Sequence, residues 1–181
     1  MDQRSNEKLE LAERIRSGDH MAFEILFNKY YTRLCVFSNS YVKSLDIARD
    51  VVQEVFIKIW NKREDFYITQ SLKAYLYTAV RNQSLNFLKQ RKQKQRLEER
   101  LKKQQDLSDE IKQDEFNTEE LTEKVWKLVE QLPERRRTIF ILYRKHGLSY
   151  LEIAEVLEIA RKTVENQMGK SLSFIRDNIG L

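Results

Sequence analysis

Glycine and proline are scarce in this sequence, and their scarcity restricts the fold. The chain has four glycines and one proline among 181 residues, whereas average usage is roughly 7% glycine and 5% proline. A sandwich or barrel of many strands needs turn residues about every 8 to 12 positions, and this chain cannot supply them. We therefore predict an all-α fold of long helices joined by few sharp corners.

Cysteine and long apolar runs are scarce as well. The single cysteine, Cys35, can form neither an intramolecular disulfide nor a thiolate metal site, which excludes a disulfide scaffold and a zinc finger. We interpret Cys35 as a small buried hydrophobe. The longest apolar runs are a few residues, far short of the roughly 20 that span a bilayer. We expect no metal ion, no direct membrane insertion and a cytoplasmic location.

Charge is segregated along the chain. The total of +5 combines a nearly neutral first part, a basic segment, an acidic segment and a mildly basic last part. The contributions are +1 for 1–80, +7 for 81–103, −7 for 104–123 and +4 for 124–181. The basic excess permits a polyanionic partner without requiring one.

Few apolar residues occur between about 90 and 118, so this stretch connects two separately packed units. We predict an N-terminal helical domain at 1–92, a charged linker at 93–118 and a C-terminal domain at 119–181. The acidic half of the linker has two interpretations, a solvated tether and a segment that binds a partner.

The stretch 48–60 has an apolar face and an opposite polar stripe. Helical spacing puts four residues on that stripe, Asp50, Gln53, Glu54 and Ile57. An isoleucine is out of place on a solvated face, and a surface that docks on another protein explains it.

A further helix is predicted from about residue 71 to beyond 88. Its basic residues are interleaved with Tyr75 and Tyr77, and the aromatic pair Phe66 and Tyr67 precedes it. Unpaired bases stack on aromatic rings while cations follow the phosphates, so this region suits single-stranded nucleic acid. Half-buried packing of the tyrosines is the alternative.

Residues 148–176 have the layout of a helix-turn-helix. Ser149 and Glu152 match the capping box that begins a helix, and Ala160 stands where serine or threonine would cap the next one. That second helix should pack through Val164, Met168 and Leu172. Its exposed residues suit base edges and phosphates in a major groove: Arg161, Lys162, Thr163, Glu165, Asn166 and Lys170.

Taken in order, these segments resemble the small sigma factors of bacterial RNA polymerase, the extracytoplasmic-function group. Residues 17–31 and 50–60 are similar to the polymerase-binding helices of the family, 72–88 to its promoter-melting helix, and 132–170 to its C-terminal helix-turn-helix unit. The resemblance implies two helical domains, one like sigma region 2 and one like sigma region 4.

The resemblance also implies roles for the residues. The stripe Asp50, Gln53, Glu54 and Ile57 would dock on core RNA polymerase. A second set would hold the separated strand of the downstream promoter element: Phe66, Tyr67, Lys73, Tyr77, Arg81 and Asn82. The polar residues from Arg161 to Lys170 would read the upstream element as duplex DNA. An antisigma factor is a further implied partner.

The sequence has no recognisable catalytic motif, neither a Gly-rich phosphate loop nor a nucleophile elbow. We therefore expect a protein that binds rather than catalyses, with no cofactor. Our leading hypothesis is a sigma factor that binds core RNA polymerase and directs promoter recognition and opening. The alternative is a conventional dimeric helix-turn-helix regulator, a hypothesis that rests on residues 148–176 alone. A nucleic-acid enzyme, the third class, lacks a candidate active site.

Overall fold

The computed structural model describes the backbone over residues 3–68, 71–101 and 120–179, and the side chains over 10–68, 71–96 and 123–179. In these backbone ranges the regular structure is helical without a strand, which confirms the all-α prediction. No helix there combines the length and apolar character that crossing a membrane requires.

The chain divides into two compact units, Met1–Ile111 and Lys112–Leu181. The first contains α1 (Gln3–Arg16), α2 (His20–Val42), α3 (Leu45–Asn61), a short 3-10 helix (Arg63–Asp65) and α4 (Leu72–Leu101). The second contains α5 (Glu120–Gln131), α6 (Glu134–Arg144), α7 (Tyr150–Leu157) and α8 (Arg161–Asn178).

Local signals set the helix boundaries of the first unit. Gly18 has φ +87°, a left-handed conformation that ends α1 and that glycine adopts without strain. Asp19 then caps α2, because its carboxylate accepts a hydrogen bond from the Ala22 N–H at 3.1 Å. Ser44 caps α3 in the same way through the Ile47 N–H. Helices α2 and α3 therefore each begin at a capping residue.

The core of the first unit lies between α2, α3 and α4. Fully buried leucines from α2 and α4, Leu26, Leu34 and Leu76, pack there with Val52 of α3. Cys35 is also buried, and desolvation raises the pKa of its thiol, which keeps it protonated. The interpretation of Cys35 as a buried hydrophobe is thus confirmed.

Helix α4 runs beyond this core. Every residue from 89 to 96 is exposed, and the helix continues to Leu101. Residues 93–101 of the predicted linker are therefore helical, so the basic segment continues the helix of the first domain. The rest of that linker, 102–118, lies outside the described residues.

The second unit has its own core and a capping box at the start of α7. Val129, Leu132, Phe140, Met168 and Ile175 form a buried cluster. The capping box is present: the Glu152 N–H donates to Ser149 Oγ at 3.3 Å, and the Ser149 N–H donates to a Glu152 carboxylate oxygen at 2.8 Å. These two bonds fix the start of α7.

The turn between α7 and α8 contains two residues that are poorly suited to their positions. Glu158 has φ +55°, which favours glycine. Ala160 precedes α8 without a side-chain cap. The prediction that Leu172 packs in the core is wrong: it is 51% exposed, and Ser171 and Ile175 are buried instead.

Candidate protein and nucleic-acid interfaces

The predicted docking stripe lies on the exposed side of α3. Asp50, Gln53, Glu54 and Ile57 are all exposed, and Ile57 is 58% exposed. The opposite side of the helix supplies the core through Val51, Val52, Val55, Phe56 and Ile59. The structure therefore brings the four predicted residues together on one accessible face.

Glu54 is held in a hydrogen-bonded triad that joins α3 to α4. One of its carboxylate oxygens lies 2.7 Å from Lys58 Nζ, and the other accepts from Gln83 Nε2 at 2.7 Å. Lys58 Nζ also donates to Gln83 Oε1 at 2.9 Å. Sequence reasoning missed Gln83, because partners 25 and 29 positions apart leave no periodic signal. It also missed Lys58, although Lys58 lies four residues after Glu54 on the same helix.

The aromatic loop before α4 has one exposed ring and one buried ring. Tyr67 is 65% exposed, whereas Phe66 is 4% exposed and packs edge-on against Tyr75 with ring centroids 5.3 Å apart. The expectation that both rings are accessible is wrong for Phe66. A phenol is neutral at physiological pH, and burial raises the pKa of Tyr75 further, so its ring adds no charge beside phosphates.

Tyr77 belongs to the core. Its side chain is fully buried, and its ring centroid lies 4.9 Å from that of Phe37 in α2. The expectation that Tyr77 lies on the exposed face of α4 is wrong. Tyr77 lies three residues before Val80 and seven before Ser84, so it shares a face of α4 with these two residues, both of which are buried in the structure.

The polar members of the predicted single-strand set are at least partly accessible. Asn82 is exposed, while Lys73 and Arg81 are half-buried. The Arg81 guanidinium donates to Asn82 Oδ1 at 3.3 Å. Together with Tyr67 and Tyr75, these side chains present rings, cations and an amide, the groups that hold unpaired nucleotides.

The predicted duplex-reading residues gather at the start of α8. Arg161, Lys162, Asn166 and Lys170 are exposed, and Thr163 and Glu165 are half-buried. The Glu165 carboxylate accepts from Arg161 Nε at 3.0 Å and lies 3.5 Å from Lys162 Nζ. Glu165 therefore orients two cations at the end of the helix that enters the groove in this motif.

Known proteins share both units. The family model "Sigma-70 region 2" matches residues 26–94, and "Sigma-70, region 4" matches residues 122–175. The ECF RNA polymerase sigma-E factors of Haemophilus influenzae and Escherichia coli are each 29% identical over 177 residues. These matches cover 93% of this chain and 93% and 92% of the two relatives.

Solved structures share the fold. CnrH, in complex with the cytosolic domain of CnrY, matches with a TM-score of 0.61 and 23% identity over 92% of this chain and 93% of that chain. The sigma factor RpoE from Bartonella quintana, in complex with the anti-sigma factor NepR, matches with a TM-score of 0.59 and 24% identity over 86% of this chain and 94% of that chain.

Region 2 followed by region 4 is the domain order of a sigma-70 initiation factor. The chain belongs to the extracytoplasmic-function group of this family and is a sigma factor. A conventional helix-turn-helix regulator accounts for the second unit alone, and the match of region 2 does not favour it.

Proposed function

We propose that this sigma factor uses three surfaces in sequence: the α3 stripe docks on core RNA polymerase, the start of α8 reads duplex DNA, and the α4 region captures the separated strand. The observation that carries the proposal is the exposed stripe with Ile57 on α3, in a chain whose other unit presents cations at the start of α8. Each surface contributes a different part of initiation.

The α3 stripe is suited to a basic protein surface. Its carboxylates attract cationic side chains, and Ile57 supplies an apolar contact that water does not solvate favourably. The triad with Lys58 and Gln83 orients the Glu54 carboxylate before the stripe meets its partner.

The start of α8 is suited to the upstream promoter element. Arg161 and Lys162 can contact guanine edges or phosphates, and Asn166 can pair with adenine. Glu165 keeps Arg161 extended along the helix through their hydrogen bond, which restricts the positions from which it reaches a base.

The α4 region is suited to strand capture. Tyr67 offers an exposed ring, and Lys73, Arg81 and Asn82 supply charge and hydrogen bonds beside it. Base stacking contributes roughly 1–3 kcal/mol per base, so captured bases offset the free energy of unpairing. The duplex contacts of α8 set the position at which this occurs.

We infer that the chain works without covalent chemistry or a cofactor, and in the cytoplasm, where core polymerase transcribes DNA. We also propose that an antisigma factor covers its surfaces. Two neighbours of the same fold support that proposal. RpoE was solved with the anti-sigma factor NepR, and CnrH with the cytosolic domain of CnrY.

Reconstitution with core RNA polymerase tests the function. Run-off transcription over a fragmented genome should give discrete new transcripts that depend on this chain, and their start points should share two sequence elements. The proposal would be overturned if the correctly folded chain supported initiation on none of the fragments. Tight binding of a palindrome by a dimer without polymerase would favour the conventional regulator.

A further inference from the structure

The end of α1 lies against the loop that we assign to the separated strand. Arg16 is the last residue of α1, and its guanidinium carbon lies 4.7 Å from the centroid of the Tyr67 ring. A cation this close to an aromatic face makes a cation–π contact. The two residues are far apart in the sequence, so the fold brings them together.

The backbone that carries Arg16 is held in place. Ile15 is fully buried and Ala12 nearly so, which fixes the last turn of α1 in the core. The Gly18 N–H donates to the Ile15 carbonyl at 3.0 Å and closes the turn behind it. Arg16 therefore reaches Tyr67 from a defined position.

The two arginines at this end of α1 have different surroundings. Arg14 Nε donates to the Asp19 carboxylate at 2.8 Å, which neutralises its charge locally. Among the side chains that the structure describes, no carboxylate lies within 4.0 Å of Arg16. Its N–H groups are therefore suited to an external anion.

Tyr67 is presented by a turn rather than packed in the core. Its N–H donates to the Asp65 carbonyl at 2.9 Å, and the Phe66 N–H donates to the Arg63 carbonyl at 3.0 Å. Phe66 anchors the turn by its burial. Since Arg16 lies over one face of the Tyr67 ring, the high exposure of this ring leaves room for a base on the other face.

We propose that Arg16 and Tyr67 form one nucleotide subsite for the separated strand. The base stacks on the Tyr67 face opposite Arg16, and the Arg16 guanidinium binds the neighbouring phosphate. This inference rests on the proposed promoter-opening function and adds α1 to the surface that performs it.

The salt dependence of binding tests the subsite. The full chain, bound to core polymerase, is titrated with a promoter from the run-off screen whose opened region is kept single-stranded by mismatches. Arg16→Ala should lower the affinity and reduce the slope of log K against log salt by about 0.7, the value for one single-strand phosphate. Tyr67→Ala should lower the affinity about tenfold and leave that slope unchanged.

Arg14→Ala is the matched control, since it removes the same charge from the same helix end and should leave the slope unchanged. Arg16→Lys should keep the slope, because lysine still pairs with phosphate as a point charge. The subsite would be overturned if Arg16→Ala left the slope unchanged, or if Arg14→Ala reduced the slope as much as Arg16→Ala does. Arg16→Gln replaces Arg16→Ala if circular dichroism shows that the alanine variant is unfolded.

The same salt series distinguishes the subsite from the proposed function. If the wild-type chain initiates at no promoter, the titration is run with the chain alone and single-stranded DNA of mixed sequence. A smaller slope of log K against log salt in Arg16→Ala would still support the subsite, and an unchanged slope would still overturn it.

Discussion

The two surfaces that we assign to DNA differ in how they share residues with the core. In the first unit, helix α4 and the loop before it contain Tyr67 and Tyr75 at the surface and Phe66 and Tyr77 inside. In the second unit, the six polar residues at the start of α8 are exposed or half-buried, and the core uses Val164 and Met168 between them. The surface that we assign to the separated strand thus shares its aromatic residues with the core, whereas the surface that we assign to duplex DNA uses polar residues outside it.

This difference has a consequence for mutation. A change in the α4 region can alter folding, strand capture or both, depending on which of two neighbouring aromatic residues it removes. A change at the start of α8 should alter DNA contacts and leave the fold intact. The following four variants test that contrast, beginning with the largest expected effect.

Tyr77→Ala should destabilise the first unit. Removing a fully buried aromatic side chain leaves a cavity, which lowers the free energy of unfolding by about 3–5 kcal/mol. Chemical denaturation followed by circular dichroism measures it. Tyr67→Ala, the exposed control, loses its cation–π contact with Arg16 and should lower the free energy of unfolding by only about 0.5–1 kcal/mol. Equal stability of the two variants would mean that Tyr77 is not a core residue.

Glu54→Lys should break the docking face without affecting the second unit. The new lysine removes the partner of both Lys58 and Gln83 and repels a basic surface, so the affinity for core polymerase should fall about tenfold or more. Binding to labelled core polymerase measures the change. Glu130→Lys, at an exposed position on α5, is the control, and a loss of the same size there would argue for a general charge effect.

Arg161→Ala should weaken transcription only from promoters that need the upstream element. Loss of a base-reading arginine reduces discrimination by about 1–3 kcal/mol, measured as the ratio of run-off transcripts from intact and scrambled upstream elements. Arg176→Ala removes an exposed arginine from the other end of α8 and should leave that ratio unchanged. Equal activity of Arg161→Ala on both promoters would exclude Arg161 from base reading.

Ala160→Ser should stabilise the second unit. A serine at this position can accept a hydrogen bond from the N–H of Lys162 or Thr163, which adds about 0.5–2 kcal/mol to the free energy of unfolding. The thermal midpoint measures it, and Ala160→Val, which brings no cap oxygen, should give no gain. If the serine variant also melts at the wild-type temperature, the backbone at α8 does not present those N–H groups to a cap.

Much of the helical framework followed from the sequence because its signals are local. The capping box at Ser149, the uncapped Ala160 and the apolar period of α3 depend on residues within a few positions of each other, and each was predicted. The four-residue stripe on α3 followed from the same periodicity.

The wrong predictions concern residues whose burial is determined by packing between helices. Leu172 and Ser171 lie on neighbouring faces of α8, and only the contacts with other helices determine which one is buried. Tyr77 fits two faces of α4 by periodicity, and its contact with Phe37 selects the inner one. Arg16 and Gln83 were missed because their partners come from distant segments.

Helix α4 continues past the packed core of the first unit. The part from residue 89 to Leu101 is about 20 Å long, at 1.5 Å per residue. Because an α-helix has 3.6 residues per turn, inserting one residue after position 88 would turn the rest of α4 by about 100° about the helix axis. The basic side chains up to Arg96 would then point to another side of the helix, so a single insertion changes where this extension presents its charge.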